Sequence, residues 1–221
     1  ARIVVGIDGS EQAVAALRWA VGEARLRGAS IDAIDAWNYP YVVVPGAAVP
    51  LHPRGDQAAD VEQELEQAVA SVAAEAEGVT ISSIVTEGVP AAVLCEAAKD
   101  ADLIVIGHGH HGSLRERLLG SVAQEVMRYS PCPVVVVLDD LHWAVPTFLD
   151  LVEYVLRAVE GPLLVVSATR PELLERRPAW GDRATVLDPL AGDDARRLLE
   201  ALPERDALDE RLATAILDAA E

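Results

Sequence analysis

Lysine is nearly absent from this chain. Among 221 residues only Lys99 is a lysine, and it stands in Ala97-Ala98-Lys99-Asp100, outside any glycine-rich turn. That excludes a P-loop, which needs Gly, four residues, Gly-Lys and Ser or Thr, because its lysine neutralises the β- and γ-phosphates. Cationic side chains as a whole are scarce: 18 Lys and Arg oppose 36 Asp and Glu, for a net charge of −18. The deficit is even, with 18 acids against 9 bases, or −9, on each side of the Leu138/Asp139 junction. Neither part offers a basic face, which argues against direct contact with nucleic acid and for a solvated acidic surface. Cysteine is limited to Cys95, in a helix pattern, and Cys132, between two prolines, which excludes a disulfide framework and suits a cytoplasmic setting. No run reaches the roughly 18 apolar residues of a membrane span, and no charged-then-apolar signal opens the chain, so no membrane partner is expected. Aromatics make up 4% of the residues, and Trp19, Trp37 and Trp180, with no basic residues interleaved, are read as packing.

What the chain does have is apolar surface, 51% of its residues, enough for one large or two small domains. It opens with Ile3-Val4-Val5-Gly6-Ile7-Asp8-Gly9-Ser10, an apolar strand ending in a carboxylate. A helix pattern follows with Val14, Leu17, Val21 and Ala24 on one face and Gly28 as its cap. A strand is expected at 31–36, an irregular Pro-, Gly- and Tyr-rich segment at 38–55, and a long helix with its seam at Val61, Leu65, Ala68, Val72 and Ala76. Next come a strand at 80–85, a helix begun by Pro90 with Val93, Leu94 and Ala97 inward, a strand at 102–106, a helix from Ser121 and a strand at 134–138. Strand and helix alternate five times, which predicts an α/β fold with a doubly wound parallel sheet covered on both faces.

Such sheets collect ligands at the carboxyl ends of their strands, where the winding reverses. Asp8 lies at one such end. At another, the run Leu103-Ile104-Val105-Ile106 delivers the chain into Gly107-His108-Gly109-His110, followed after nine residues by Gly120-Ser121, where a helix opens. Free N–H groups at a helix N-terminus with a hydroxyl beside them make an anion site, and glycines let a phosphate approach the backbone. Glycines also end strands for purely structural reasons. Nucleotide binding is the leading reading of this loop.

Five segments carry a family resemblance, in order and at the right spacing: Val4-Val5-Gly6-Ile7-Asp8-Gly9-Ser10, Glu87-Gly88-Val89-Pro90-Ala91, Ala101-Asp102-Leu103-Ile104-Val105-Ile106-Gly107, Leu118-Leu119-Gly120-Ser121-Val122 and Ser130-Pro131-Cys132-Pro133-Val134-Val135-Val136. Residues 1–138 resemble the universal stress protein family. The resemblance implies a Rossmann-like five-stranded sheet of order 3-2-1-4-5, commonly dimeric, and in one subclass an ATP site built on Gly, two residues, Gly, nine residues, Gly-Ser. Carried over, it assigns ATP, with magnesium, to a site of Gly6, Ile7, Asp8 near the ribose, Ala36 facing the adenine, Ile106, Gly107, Gly109, Gly120, Ser121 and Val122. The subclass's second glycine is His110 here, flanked by Gly109 and Gly112.

Residues 139–221 are set apart from that domain. Val134-Val135-Val136-Val137-Leu138-Asp139-Asp140 has the form of a Walker B segment, an apolar strand ending in acids that hold magnesium and polarise water. With the stretch after it, a helix through Leu149, Val152, Leu156 and Val159, a strand at 162–167 and two acidic helices, it resembles the second half of the ATPase module of bacterial signal-transduction and transcription-regulating NTPases. That resemblance makes Asp139 a metal ligand and Asp140 a base. Without a P-loop, the pair lacks a phosphate to act on.

His108, His110 and His111 cluster in the loop, but no Cys pair or distant His completes a four-ligand metal site. Imidazoles facing phosphate oxygens are the better use of them. His142, beside Trp143, is read as structural. Three functions fit: an ATP-binding stress-response module that signals to an unknown partner without efficient turnover, a fragment of a regulatory ATPase, or a scaffolding module with no nucleotide. The chain begins at Ala1 in the approach to a strand and ends at Glu221 in an uncapped helix, as an excerpt of a longer protein would. The strand at 162–167 is expected beside the fifth, giving order 3-2-1-4-5-6 and covering the edge through which the family pairs. The full chain is then monomeric or associates elsewhere.

Overall fold

The computed structural model describes residues 1–38, 41–44, 47–50, 54–108, 119–188, 194, 196 and 197. It comprises two compact units, Ala1–Arg170 and Pro171–Glu221. The first runs β1 (Arg2–Ile7), α1 (Glu11–Arg27), β2 (Ser30–Trp37), β3 (Tyr41–Val44), β4 (Ala47–Pro50), α2 (Arg54–Ser71), β5 (Ile81–Glu87), α3 (Pro90–Ala97), β6 (Leu103–Gly107), α4 (Ser121–Tyr129), β7 (Val134–Leu138), α5 (Pro146–Ala158) and β8 (Leu163–Ser167). In the described part of the second unit are α6 (Glu172–Arg176), which buries Leu173, and a 3-10 turn at Pro178–Arg183.

Six strands form one parallel sheet in the order β5-β2-β1-β6-β7-β8. With the short pair β3 and β4 set aside, that is 3-2-1-4-5-6, the order expected from sequence. The register is direct: Val5 pairs with Ala33 on one side and Val105 on the other, and Val136 pairs with Ile106 and Val165. Every residue of β7 is buried, as a central strand's should be. In β8 burial breaks down, with Leu164 52% exposed, which marks the new edge.

One face of the sheet is covered by α1, whose buried stripe is Ala13, Ala16, Leu17, Ala20, Val21 and Ala24. Four alanines in that stripe let the helix axis lie close over Ile3, Val5, Val105 and Val135, all in the same apolar cluster. Val14, expected on that face, is only half-buried at its margin. From α2 the cluster takes Leu65 and Ala68, and from the turn after it Val72. The helix expected to reach Ala76 ends at Ser71, whose hydroxyl donates to the Ala68 carbonyl at 2.7 Å, a local bond that competes with the helical ladder.

The segment at 38–55 corrects the expectation of irregular chain. It contains the antiparallel pair β3 and β4, with Val42 opposite Val49 and Val43 opposite Ala48, and α2 begins by Arg54. Three consecutive β-branched valines favour a pleated backbone more strongly than the flanking Pro and Gly oppose it. Among the described residues no helix is long and apolar enough to cross a membrane.

Candidate functional site

The carboxyl ends of β1, β2 and β6 and the first turn of α4 surround one cavity of about 450 Å³. That volume lies within the range of small-molecule pockets. Its position follows from the winding: the chain leaves β1 toward β2 on one side and returns to β6 on the other, so no strand crosses the gap above β1.

From β1 come Gly6 and Ile7, then Asp8. The Asp8 carboxylate is anchored: its Oδ1 accepts the Ser10 backbone N–H at 3.1 Å and the Ser10 hydroxyl. Ser10 Oγ in turn accepts the Ala13 N–H at 3.1 Å, capping α1. Between them Gly9 turns the chain at φ +73°, and a Cβ there would lie 2.7 Å from the carboxylate of Glu64 on α2. A side chain at position 9 would therefore displace Glu64 from the cavity wall, which it lines with Asp8.

From β2 come Ile34, Asp35 and Ala36. Asp35 is only 5% exposed. Burial, then the negative charges of Glu64 and Asp8, push its carboxyl up to about 7. No lysine or arginine is among the described residues lining the cavity.

From β6 come Ile106 and Gly107, and from α4 Gly120, Ser121 and Val122. The Gly120 N–H donates to the His108 carbonyl at 2.8 Å, so the ends of the intervening segment are tied together. The cap residue Gly120 brings no side chain to α4, and the helix's first residues, Ser121, Val122 and Ala123, line the cavity. Ser121 is exposed at the first helical position.

Nine of the eleven residues assigned to a nucleotide from sequence thus line one cavity, while Gly109 and His110 lie outside the described residues, as does His111. His108 does not line it. Its ring is 2% exposed and stands 6.2 Å from that of Phe148 on α5, a packing position rather than one facing an anion. Asp139 and Asp140 are also elsewhere, exposed beyond the end of β7. Asp139 Oδ1 accepts the Asp140 N–H at 2.9 Å, and Asp140 adopts φ 52°. Among the described residues no group of three or more His, Cys, Asp or Glu is placed to hold a metal.

Asp35 and Glu64 escaped the sequence reading. For Asp35 a signal existed: it shares strand parity with Ile31 and Ala33, both fully buried, so a carboxylate there sits on an inward-facing row. Glu64 is one acid among several on α2 and carries no such signal.

Comparison with known proteins places this geometry in context. A family profile described as "Universal stress protein family" matches residues 1–137. The universal stress protein Rv2624c of Mycobacterium tuberculosis is 30% identical over 196 residues, covering 80% of this chain and 68% of its own. Among solved structures, the universal stress protein UspA from Lactobacillus plantarum is 26% identical, with a TM-score of 0.51 over 61% of this chain and 95% of its own. A universal stress protein from Archaeoglobus fulgidus, solved in complex with dAMP, is 27% identical over 61% of this chain and 95% of its own, with a TM-score of 0.46.

Proposed function

This chain belongs to the universal stress protein family, and from that premise we propose that its cavity binds ATP with magnesium and that occupancy, not turnover, is what the protein communicates. The supporting observation is the convergence of Asp8, Ala36, Gly107, Gly120, Ser121 and Val122 on a single cavity of nucleotide size. The α4 terminus supplies N–H donors and the Ser121 hydroxyl to phosphate oxygens, and Asp8, already oriented by Ser10, accepts from ribose hydroxyls.

Charge decides how the phosphates enter. Three carboxylates and no lysine or arginine among the described lining residues would repel a bare triphosphate. Among the described residues none build a metal cage, so magnesium fits as an ion that arrives on the phosphates with most of its water. Its charge then offsets the repulsion. The chain has no P-loop lysine to grip a γ-phosphate, which argues against efficient hydrolysis.

Calorimetry with ATP and magnesium tests the reading, together with analysis of nucleotide released from freshly purified protein. Binding of one nucleotide per chain is expected. No heat at millimolar ATP would favour a scaffolding module in place of a nucleotide sensor.

A further inference from the structure

Asp35 lines the cavity but takes no part in the phosphate or ribose contacts. It is an acid buried in the wall of a cavity assigned to an anionic ligand, and the influences acting on its carboxyl are burial and two neighbouring negative charges, with no hydrogen bond to it from the described residues. A buried carboxyl without a donor is costly to the fold, and such a group is retained where a ligand makes use of it. Its place relative to the other lining residues says which part of a ligand it meets. In the sheet order, β2 flanks β1 on one side and β6 on the other, and α4 follows β6. The phosphate-binding N–H groups therefore stand at the β6 side and Asp35 at the β2 side. Asp8, Asp35 and Glu64 together make that side hostile to phosphate. It must receive the uncharged end of the nucleotide.

We propose that Asp35 reads the base, offering one donor and one acceptor to the N6 and N1 edge of adenine when its carboxyl carries a proton, and two acceptors to the N1–H and N2–H edge of guanine when it does not. The proposal rests on the nucleotide reading of the cavity. Its chemistry follows from the inventory of a carboxyl group: protonated, it donates through O–H and accepts through C=O; ionised, it only accepts. Unstacked bases held by proteins are recognised on these edges. The environment lets both states occur near neutrality. Glu64 reaches the group from α2 and Asp8 from the end of β1, while β5 places Val85 opposite it and α3 contributes Pro90 and Leu94, which are uncharged. Adenine selectivity is then highest below about pH 7 and falls as Asp35 ionises.

The test is the ratio of ATP to GTP affinity, each with magnesium, measured by calorimetry on the full chain between pH 6 and pH 8. Phosphate titration and repulsion by Asp8 and Glu64 act alike on both nucleotides and cancel in the ratio. A fall of tenfold or more toward pH 8 is expected. In Asp35→Asn, whose amide keeps one donor and one acceptor at every pH, the ratio should stay adenine-favouring and flat. A ratio that is constant in the parent protein, or that still changes with pH in Asp35→Asn, would overturn the assignment. If neither nucleotide binds at any pH, the nucleotide reading itself falls and takes this one with it.

Discussion

Gly107, at the end of β6, and Gln12, in the first turn of α1, approach so closely that a Cβ on the glycine would lie 2.6 Å from the Gln12 carbonyl oxygen. The missing side chain is thus required by the α1 backbone, whatever the ligand. Gly107→Ala must push α1 away from the sheet, and overpacking of this kind costs about 1–3 kcal/mol. Denaturant unfolding without nucleotide should show that loss. Unchanged stability would mean that α1 gives way freely and that the glycine serves the ligand alone.

Ser121 is the converse case. Its hydroxyl is exposed at the start of α4, so Ser121→Ala should leave unfolding unaffected. Loss of a charge-assisted hydrogen bond to phosphate should weaken ATP binding by about 1.5–3 kcal/mol. Equal affinity in calorimetry would place the phosphates away from α4.

Asp35 should make stability depend on pH. Its carboxyl is raised from an ordinary 3.8 to about 7 in the folded chain, so between those values the folded state holds the proton more tightly than the unfolded state. The contribution to stability therefore falls as pH rises through this window and is fully lost above it. Asp35→Asn removes the penalty and should stabilise the protein above pH 7, by a few kcal/mol at most, at about 1.4 kcal/mol per unit. Thermal unfolding at pH 5 and pH 8 checks it; a variant no more stable than the parent at pH 8 contradicts it.

Much of this was legible in the chain because buried parallel strands are written as unbroken apolar runs, Leu103-Ile104-Val105-Ile106 and Val134-Val135-Val136-Val137-Leu138 above all. The first of these runs, like β1, ends where the winding puts the cavity, so Asp8 and Gly107 could be named from strand ends and Ser121 from loop spacing. Contacts between distant elements could not. Nothing near Gly107 in sequence points to Gln12, and nothing near Gly9 points to Glu64. Asp35 was passed over because one acid in a strand is read as facing water, although its parity with Ile31 and Ala33 said otherwise.

Asp139 and Asp140 stand exposed beyond β7, outside the cavity lining. Asp139→Ala should accordingly leave any ATP turnover by this chain unchanged. A tenfold loss, about 1.4 kcal/mol in the barrier, would give the Walker B-like segment a catalytic part after all.

The sixth strand also predicts an assembly state. With β8 bonded along β7 from Val134–Leu163 to Leu138–Ser167, the backbone groups on that side of β7 are already paired. A chain ending at Leu138 would leave them open to a second copy. Light scattering should give twice the shortened mass for residues 1–138 and, for the full protein, a single-chain mass or an association through another surface that Val136→Pro does not break. A shortened chain that stays monomeric would show that this edge does not drive pairing.

Because β7 is hydrogen-bonded on both sides and buried along its whole length, its amides can meet solvent only when the sheet itself comes apart. Proton exchange along Val134–Leu138 therefore measures the cooperativity between the stress-protein core and the strand added to it. Were β8 to detach independently, half of that ladder would exchange early, and the two stretches of sequence would behave as neighbours sharing a border. Exchange at the slow, global rate across all five residues would instead make them one folding unit.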